Sequence, residues 1–207
     1  MYKNGNIILK YRDLINLSQR EFKKIRGNNI SIIFQDPIAA LNPVFKIKEQ
    51  FFEVNCNGGK ISKKDSFDKA CEALLKVSIR DPERVMESYP FQLSGGMAQR
   101  VVITMAMINN PDLLLADEPS TALDVTVQNQ ALDLMDDLTK VTNTAVLLIT
   151  HNMGVVRRFA EKVYVIYRGV IVEEGTKSQV FQNPGHPYTE ALLQSIPKLN
   201  GTRIPIH

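Results

Sequence analysis

The chain has 207 residues, a net charge of +3 and 44% apolar side chains, which fits one main domain with a packed core and room for a subdomain. Lysines and arginines are scattered among acidic residues, so an ordinary solvated surface is expected and no nucleic-acid footprint. Cys56 and Cys71 stand at no metal-ligand spacing, and the longest apolar runs, such as Ala145 to Ile149, fall far short of the ~18 residues of a spanning helix.

In chain order, Ile7-Ile8-Leu9 predicts a short strand. Ser18-Gln19-Arg20-Glu21 is a capping box that opens a short helix, which Gly27 can close. Ile30 to Phe34 predicts an apolar strand that delivers Gln35-Asp36-Pro37 at its end, where Pro37 stops the ladder. After a turn at Asn42-Pro43, a helix is expected from about Ile47 to the break at Gly58-Gly59. Phe67, Ala70, Cys71, Leu74 and Leu75 recur at helical spacing behind a Ser62 cap, and Asp81-Pro82 starts another short helix.

Met97 to Ile108 is apolar on most faces and ends before Pro111, which predicts a buried helix. Leu113 to Ala116 and Ala145 to Ile149 are short apolar runs on either side of a helix expected from about Thr126 to Lys140. Strand, helix and strand with continuous apolar runs imply a parallel sheet covered on both faces. Val163 to Tyr167 and Val170 to Glu173 form two further strands joined at Arg168-Gly169. From Ser178 onward the chain is helical and irregular, interrupted by Pro184, Pro187 and Pro197.

Polar groups gather at the expected strand ends. In open α/β sheets ligands bind beyond the carboxyl ends of the strands, and there stand Gln35, the pair Asp117-Glu118, and His151. Asp117 can hold Mg²⁺, mostly through water. Glu118 can take a proton from an attacking water. Gln35 can orient metal and water, and His151 can donate to a γ-phosphate. Ser94-Gly95-Gly96, ahead of the helix near Met97, offers unpaired N–H groups to an anion. Each of these is weak alone: Ser-Gly-Gly is usually a capped turn, and a lone histidine after a strand is usually structural. Their occurrence in one order carries the argument.

That order resembles an ABC-type ATPase. Leu93-Ser94-Gly95-Gly96-Met97-Ala98-Gln99-Arg100 looks like its signature, Leu113 to Pro119 its Walker B strand, Ser120 to Asp124 its D-loop and Leu148-Ile149-Thr150-His151 its H-loop. Ile33 to Pro37 with Leu41-Asn42-Pro43, Ala122 to Gln128, and Asn183-Pro184-Gly185-His186-Pro187-Tyr188-Thr189 narrow it to the ATP-binding subunits of bacterial oligopeptide/dipeptide importers. Nickel importers share these motifs, so peptide and nickel cargo both stay open. Phe91 and Ala98 depart from the subfamily's usual residues without touching the expected chemistry.

The resemblance implies a P-loop NTPase-like α/β fold. Residues 1–45 and 111–177 would form the ATPase core, 46–110 a helical subdomain ending in the signature helix, and 178–207 a C-terminal extension. It implies ATP and Mg²⁺ as ligands, with Glu118 and His151 catalytic, Gln35 and Asp117 toward the metal, and Ser94, Gly95, Gly96 and Asp124 toward nucleotide across a head-to-tail dimer. Implied partners are a second ATPase subunit, transmembrane permease subunits and, indirectly, an extracytoplasmic peptide-binding protein, at the cytoplasmic face of the membrane.

Nothing in the sequence fits Gly-x-x-x-x-Gly-Lys-Ser/Thr. The nearest stretch, Gly58-Gly59-Lys60-Ile61-Ser62, lacks the first glycine and puts Ile61 at the hydroxyl position. The expectation is an N-terminally truncated member of the family that binds ATP·Mg²⁺ very weakly by itself, since losing three charged hydrogen bonds costs roughly 5 kcal/mol. A strand is then expected to be missing between the one leading to His151 and the one at Val163 to Tyr167, leaving the chain poorly folded alone. Two other classes remain: a non-catalytic partner offering Ser94-Gly95-Gly96 to an intact ATPase, and a non-transport ABC ATPase. The second is disfavoured by the lack of long heptads, zinc cysteines or a tandem ATPase domain.

Overall fold

The structure, a computed structural model, describes residues 5–57, 59–119 and 125–195. The chain divides into two compact units, residues 1–147 and 148–207.

The first unit opens with a hairpin of β1 (Ile8–Leu9) and β2 (Arg12–Asp13). Its two linking residues, Lys10 and Tyr11, both have positive φ (44° and 67°), the twist that a two-residue hairpin loop requires. Helix α1 (Gln19–Ile25) starts on the expected capping box: Ser18 Oγ accepts from the Glu21 amide, and Glu21 accepts from the Ser18 amide. Gly27, just beyond the helix, adopts φ 78° and donates to the Ile30 carbonyl at 2.7 Å, turning the chain into β3 (Ile30–Ile33).

A single turn, α2 (Pro37–Ala40), follows β3. β3 ends at Ile33, ahead of Pro37, which instead starts a helix, where its missing N–H costs nothing. Three helices come next: α3 (Ile47–Asn57), α4 (Lys63–Lys76) and α5 (Pro82–Glu87). Phe51, Leu74, Val85 and Met86 fill the space among them and are fully buried. Leu75, counted with the apolar face of α4 by spacing, is 54% exposed, because the stripe runs through Ser66, Ala70 and Leu74 instead.

A 3₁₀ turn (Pro90–Gln92) leads into α6 (Gly95–Met107), which is buried along most of its length as its composition predicts. The middle of this helix and its exit are tied to earlier elements. Asn109 donates to the carbonyls of Gly27 (3.1 Å) and Val54 (2.9 Å), and Arg100 donates to that of Val77 at 2.6 Å.

Then come β4 (Leu113–Asp117), α7 (Val125–Thr142) and β5 (Ala145–Ile149). The strand order is β3-β4-β5, with β3 and β4 parallel from Ile30↔Leu113 to Ile33↔Ala116. Burial on β3 alternates: Ser31 and Ile33 are buried, while Ile32 is 41% exposed. The expected cover on both faces is therefore absent among the described residues. A continuous apolar run permits two-sided burial without enforcing it.

β5 ends in the second unit, which continues with α8 (Met153–Phe159), β6 (Lys162–Tyr167), β7 (Val170–Thr176), α9 (Lys177–Gln182) and α10 (Pro187–Gln194). β6 and β7 form an antiparallel pair of their own, so the described strands from β3 onward lie in two sheets. Arg168 (φ 50°) and Gly169 (φ 81°) make the tight turn between them. Val163, Val165 and Val180 form this unit's core. The Asn183–Tyr188 segment is held by Glu173, whose carboxylate accepts from the Gly185 (2.8 Å) and His186 (3.2 Å) amides, and by the Tyr167–Tyr188 ring contact.

The start of the β3/β4 pair is clamped. Asn29 donates to Asp112 at 2.7 Å, the Asp112 and Leu113 amides both donate to the Asn29 carbonyl, and Lys10 pairs with Asp112. The hydrogen bonds from Lys10 and Asn29 hold the Asp112 carboxyl below its usual range. A lowered folded value means this stabilisation is full above the unfolded value of about 3.9 and is lost as pH falls through the folded one. Asp112→Asn is therefore expected to lower the melting temperature at neutral pH. The difference from wild type should shrink as the pH falls below about 3.9, as thermal melts across a pH series would read.

Candidate functional site

The β3/β4 register carries through to the carboxyl ends of the strands. Gln35 lies two residues past β3 and Glu118 one residue past β4. They face each other at the same separation of 83 positions that pairs Asn29 with Asp112. Gln35 Nε2 donates to Glu118 Oε2 at 3.4 Å, a long bond between an exposed amide and a half-buried carboxylate. Asp117, the last residue of β4, is exposed beside them.

Glu118 has φ 43°. A side chain in the left-handed region costs roughly 1–2 kcal/mol. Such a conformation persists where neighbours over-determine it, and it clusters at functional sites. The neighbours here are Asp117 on the strand side and Pro119, which is buried and whose carbonyl accepts from Gln99 Nε2 at 2.9 Å. Gln99 is a residue whose part in the site was not legible in the sequence. A glutamine inside an apolar helix carries no local sign of a partner twenty positions away.

Gly95 and Gly96 do not precede the helix, as expected from a start near Met97, and only Ser94 does. α6 begins at Gly95, with Ser94 as its cap, and Ser94 Oγ accepts from the Met97 amide at 3.3 Å. The glycines are therefore the first turn, where backbone N–H groups have no partner within the helix and the dipole favours an anion. Their poor helix propensity hid this start. Asp124 lies outside the described residues. His151, exposed, stands two residues beyond β5 in the second unit.

Among the described residues no three His, Cys, Asp or Glu side chains gather into a metal cage. Gln35 and Asp117 supply hard oxygen donors, few in number. That suits magnesium, which keeps most of its water, and does not suit zinc or calcium. A separate groove of about 1300 Å³ opens beside β3, lined by Ile30, Ile32, Phe34, Phe52, Phe67 and Leu115 among others. None of the candidate site residues lines it, and its aromatic walls are joined by Arg26, Lys48, Lys63 and Lys64.

Residues 1–121 match the family described as ABC transporter. The chain belongs to this family. Residues 172–207 match the oligopeptide/dipeptide transporter C-terminal region. The matched ranges of the ABC transporter family and this C-terminal region contain Gln35, Ser94, Gly95, Gly96, Asp117 and Glu118; Asp124 and His151 fall between them.

The chain is 48% identical over 201 residues to the oligopeptide transport ATP-binding protein OppD of Bacillus subtilis (strain 168), covering 97% of this chain and 56% of that protein. It is 47% identical over 197 residues to the dipeptide transport ATP-binding protein DppD of the same strain, covering 95% and 59% respectively. It thus spans little more than half the length of these relatives. Among solved structures it is similar to the dimeric structure of MJ0796, a bacterial ABC transporter cassette. The TM-score is 0.72 and the identity 29%, over 84% of this chain and 74% of that one. A post-hydrolysis state of MJ0796 bound to ADP and Pi matches at TM-score 0.70 and 28% identity, with the same coverage.

Because Ser94 Oγ is committed to the cap of α6, Ser94→Ala is expected to destabilise the protein by about 1 kcal/mol. Ser94→Asp should retain most of that, and urea unfolding of the two variants would measure the difference.

Proposed function

We propose that this chain forms part of the ATP-binding subunit of an importer for oligopeptides or dipeptides, working in a head-to-tail dimer of two ATPase subunits. The observation that carries the proposal is the pairing of Gln35 with Glu118 at the ends of two parallel strands, beside Asp117. The likeness to OppD and DppD and the match of residues 172–207 support peptides as the cargo class.

The reaction is hydrolysis of the terminal phosphoanhydride. Glu118 accepts a proton from water as the water oxygen bonds to the γ-phosphorus. The bond from that phosphorus to the β,γ-bridging oxygen breaks, and ADP leaves. Gln35, in contact with Glu118, orients the water. Asp117 and Gln35 would hold Mg²⁺, which supplies charge neutralisation on the phosphates when bound. His151 is assigned to the γ-phosphate. Ser94, Gly95 and Gly96, with the N-terminus of α6, are assigned to the nucleotide held mainly by the other subunit, and Asp124 to the contact across the dimer.

The groups of a phosphate loop are not among these 207 residues, so the site acts once they are supplied within the assembled ATPase. No helix among the described residues is long and apolar enough to cross a membrane. Its work at the cytoplasmic face of the membrane would go through docking to transmembrane permease subunits, and indirectly through an extracytoplasmic peptide-binding protein.

In the assembled transporter, Glu118→Gln is expected to lower ATP hydrolysis by about 10²–10⁴-fold, the range for loss of a general base, while leaving ATP affinity within a few-fold. Steady-state phosphate release and equilibrium nucleotide binding would read both. Retention of most of the turnover would remove Glu118 from the role of base.

A further inference from the structure

Gln99 is 2% exposed, and its side-chain amide donates to the Pro119 carbonyl at 2.9 Å. A buried amide is tolerated where its polar atoms are paired, and most side-chain hydrogen bonds go to backbone or water. This one leaves its helix to grip a turn outside any strand or helix. The turn needs a grip, because Glu118 combines positive φ with a place before proline. The residue before proline is biased toward extended conformations by the ring itself. The turn is held on one side by β4, through Asp117, and on the other by Gln99.

We propose that Gln99 is a positioning residue for hydrolysis: its hydrogen bond fixes the Glu118–Pro119 turn so that the Glu118 carboxylate faces Gln35. This rests on the ATPase reading above and adds a residue to it. The same helix begins with Ser94, Gly95 and Gly96, so one hydrogen bond ties the segment assigned to nucleotide contact to the turn that carries the base.

The test uses Gln99→Met, which keeps the length of the side chain without a donor, and Gln99→Glu, which keeps its shape. In the assembled transporter, Q99M is expected to lower kcat by tenfold or more with KM for ATP·Mg²⁺ unchanged within twofold, because Gln99 is assigned no nucleotide contact. Q99E cannot donate to Pro119 while ionised, and in that state its kcat should match that of Q99M. Burial pushes the carboxyl up, and as the pH is lowered the acid takes up a proton and its O–H can donate. The ratio of Q99E to wild-type kcat should therefore rise, and that of Q99M should stay flat.

A purely structural glutamine would lower the melting temperature without that kcat split or that acid recovery. Wild-type kcat in Q99M, or a Q99E profile parallel to wild type, would overturn the proposal. Amide exchange at Glu118 in the nucleotide-free assembled transporter separates the two readings, since it needs no turnover. Tenfold faster exchange in Q99M supports the grip on the turn even if the wild-type transporter fails to hydrolyse ATP, an outcome that would strike the ATPase reading alone. Unchanged exchange would overturn the grip itself.

Discussion

The parallel pairing of β3 with β4 sets the register on which the candidate site depends. It begins at the clamp of Asn29 and Asp112, runs through four paired positions, and ends with Gln35 against Glu118. A slip of one residue would move a strand by about 3.3 Å and turn its side chains to the other face. Ser31 and Ile33 would leave the core, and Gln35 would stand opposite Asp117 or Pro119. The apolar alternation and the polar clamp therefore act together: burial penalises the slipped register, and the clamp fixes where the pairing starts.

The second dependency runs through α6. This helix fills the core of the first unit with Val101, Ile103 and Met107, and α7 adds Leu132 and Met135 to that core. Its exit is bonded to Gly27 and Val54 through Asn109, which joins it to the entry of β3 and the end of α3. Its second turn holds Pro119 through Gln99. A strained carboxylate-bearing turn at the end of one strand is thus stabilised by an element that has no neighbouring position in the chain. Helix packing and site geometry are one problem here.

Much of this was legible in the residues. Ser18 and Glu21 marked the start of α1, the apolar runs at Ile30, Leu113 and Ala145 marked the sheet, and Arg168-Gly169 marked the turn of the second unit. Asp117 and Glu118 stood out because carboxylates at the end of an apolar run have a chemical purpose to explain. What stayed hidden depended on distance or on conformation. Gln99 gains its meaning from a carbonyl twenty positions on, and Glu118 hides its positive φ because any residue can be forced there. Gly95 and Gly96 read as loop because propensity speaks against them, while the Ser94 cap decides for helix. Leu75 followed the helical spacing, yet Ser66 took the buried stripe, where it pairs with Asn55 at 2.9 Å.

The most direct measurement of the central claim is a cross-link between the two strand ends. With Cys56 and Cys71 replaced by serine, a chain carrying Gln35→Cys and Glu118→Cys should be joined by a short bifunctional thiol reagent. A second chain, carrying Gln35→Cys and Leu115→Cys, should be joined far more slowly. Fast, selective linking of the first pair is the outcome that the shared register requires. Equal linking of both pairs, or preferential linking of the second, would contradict it.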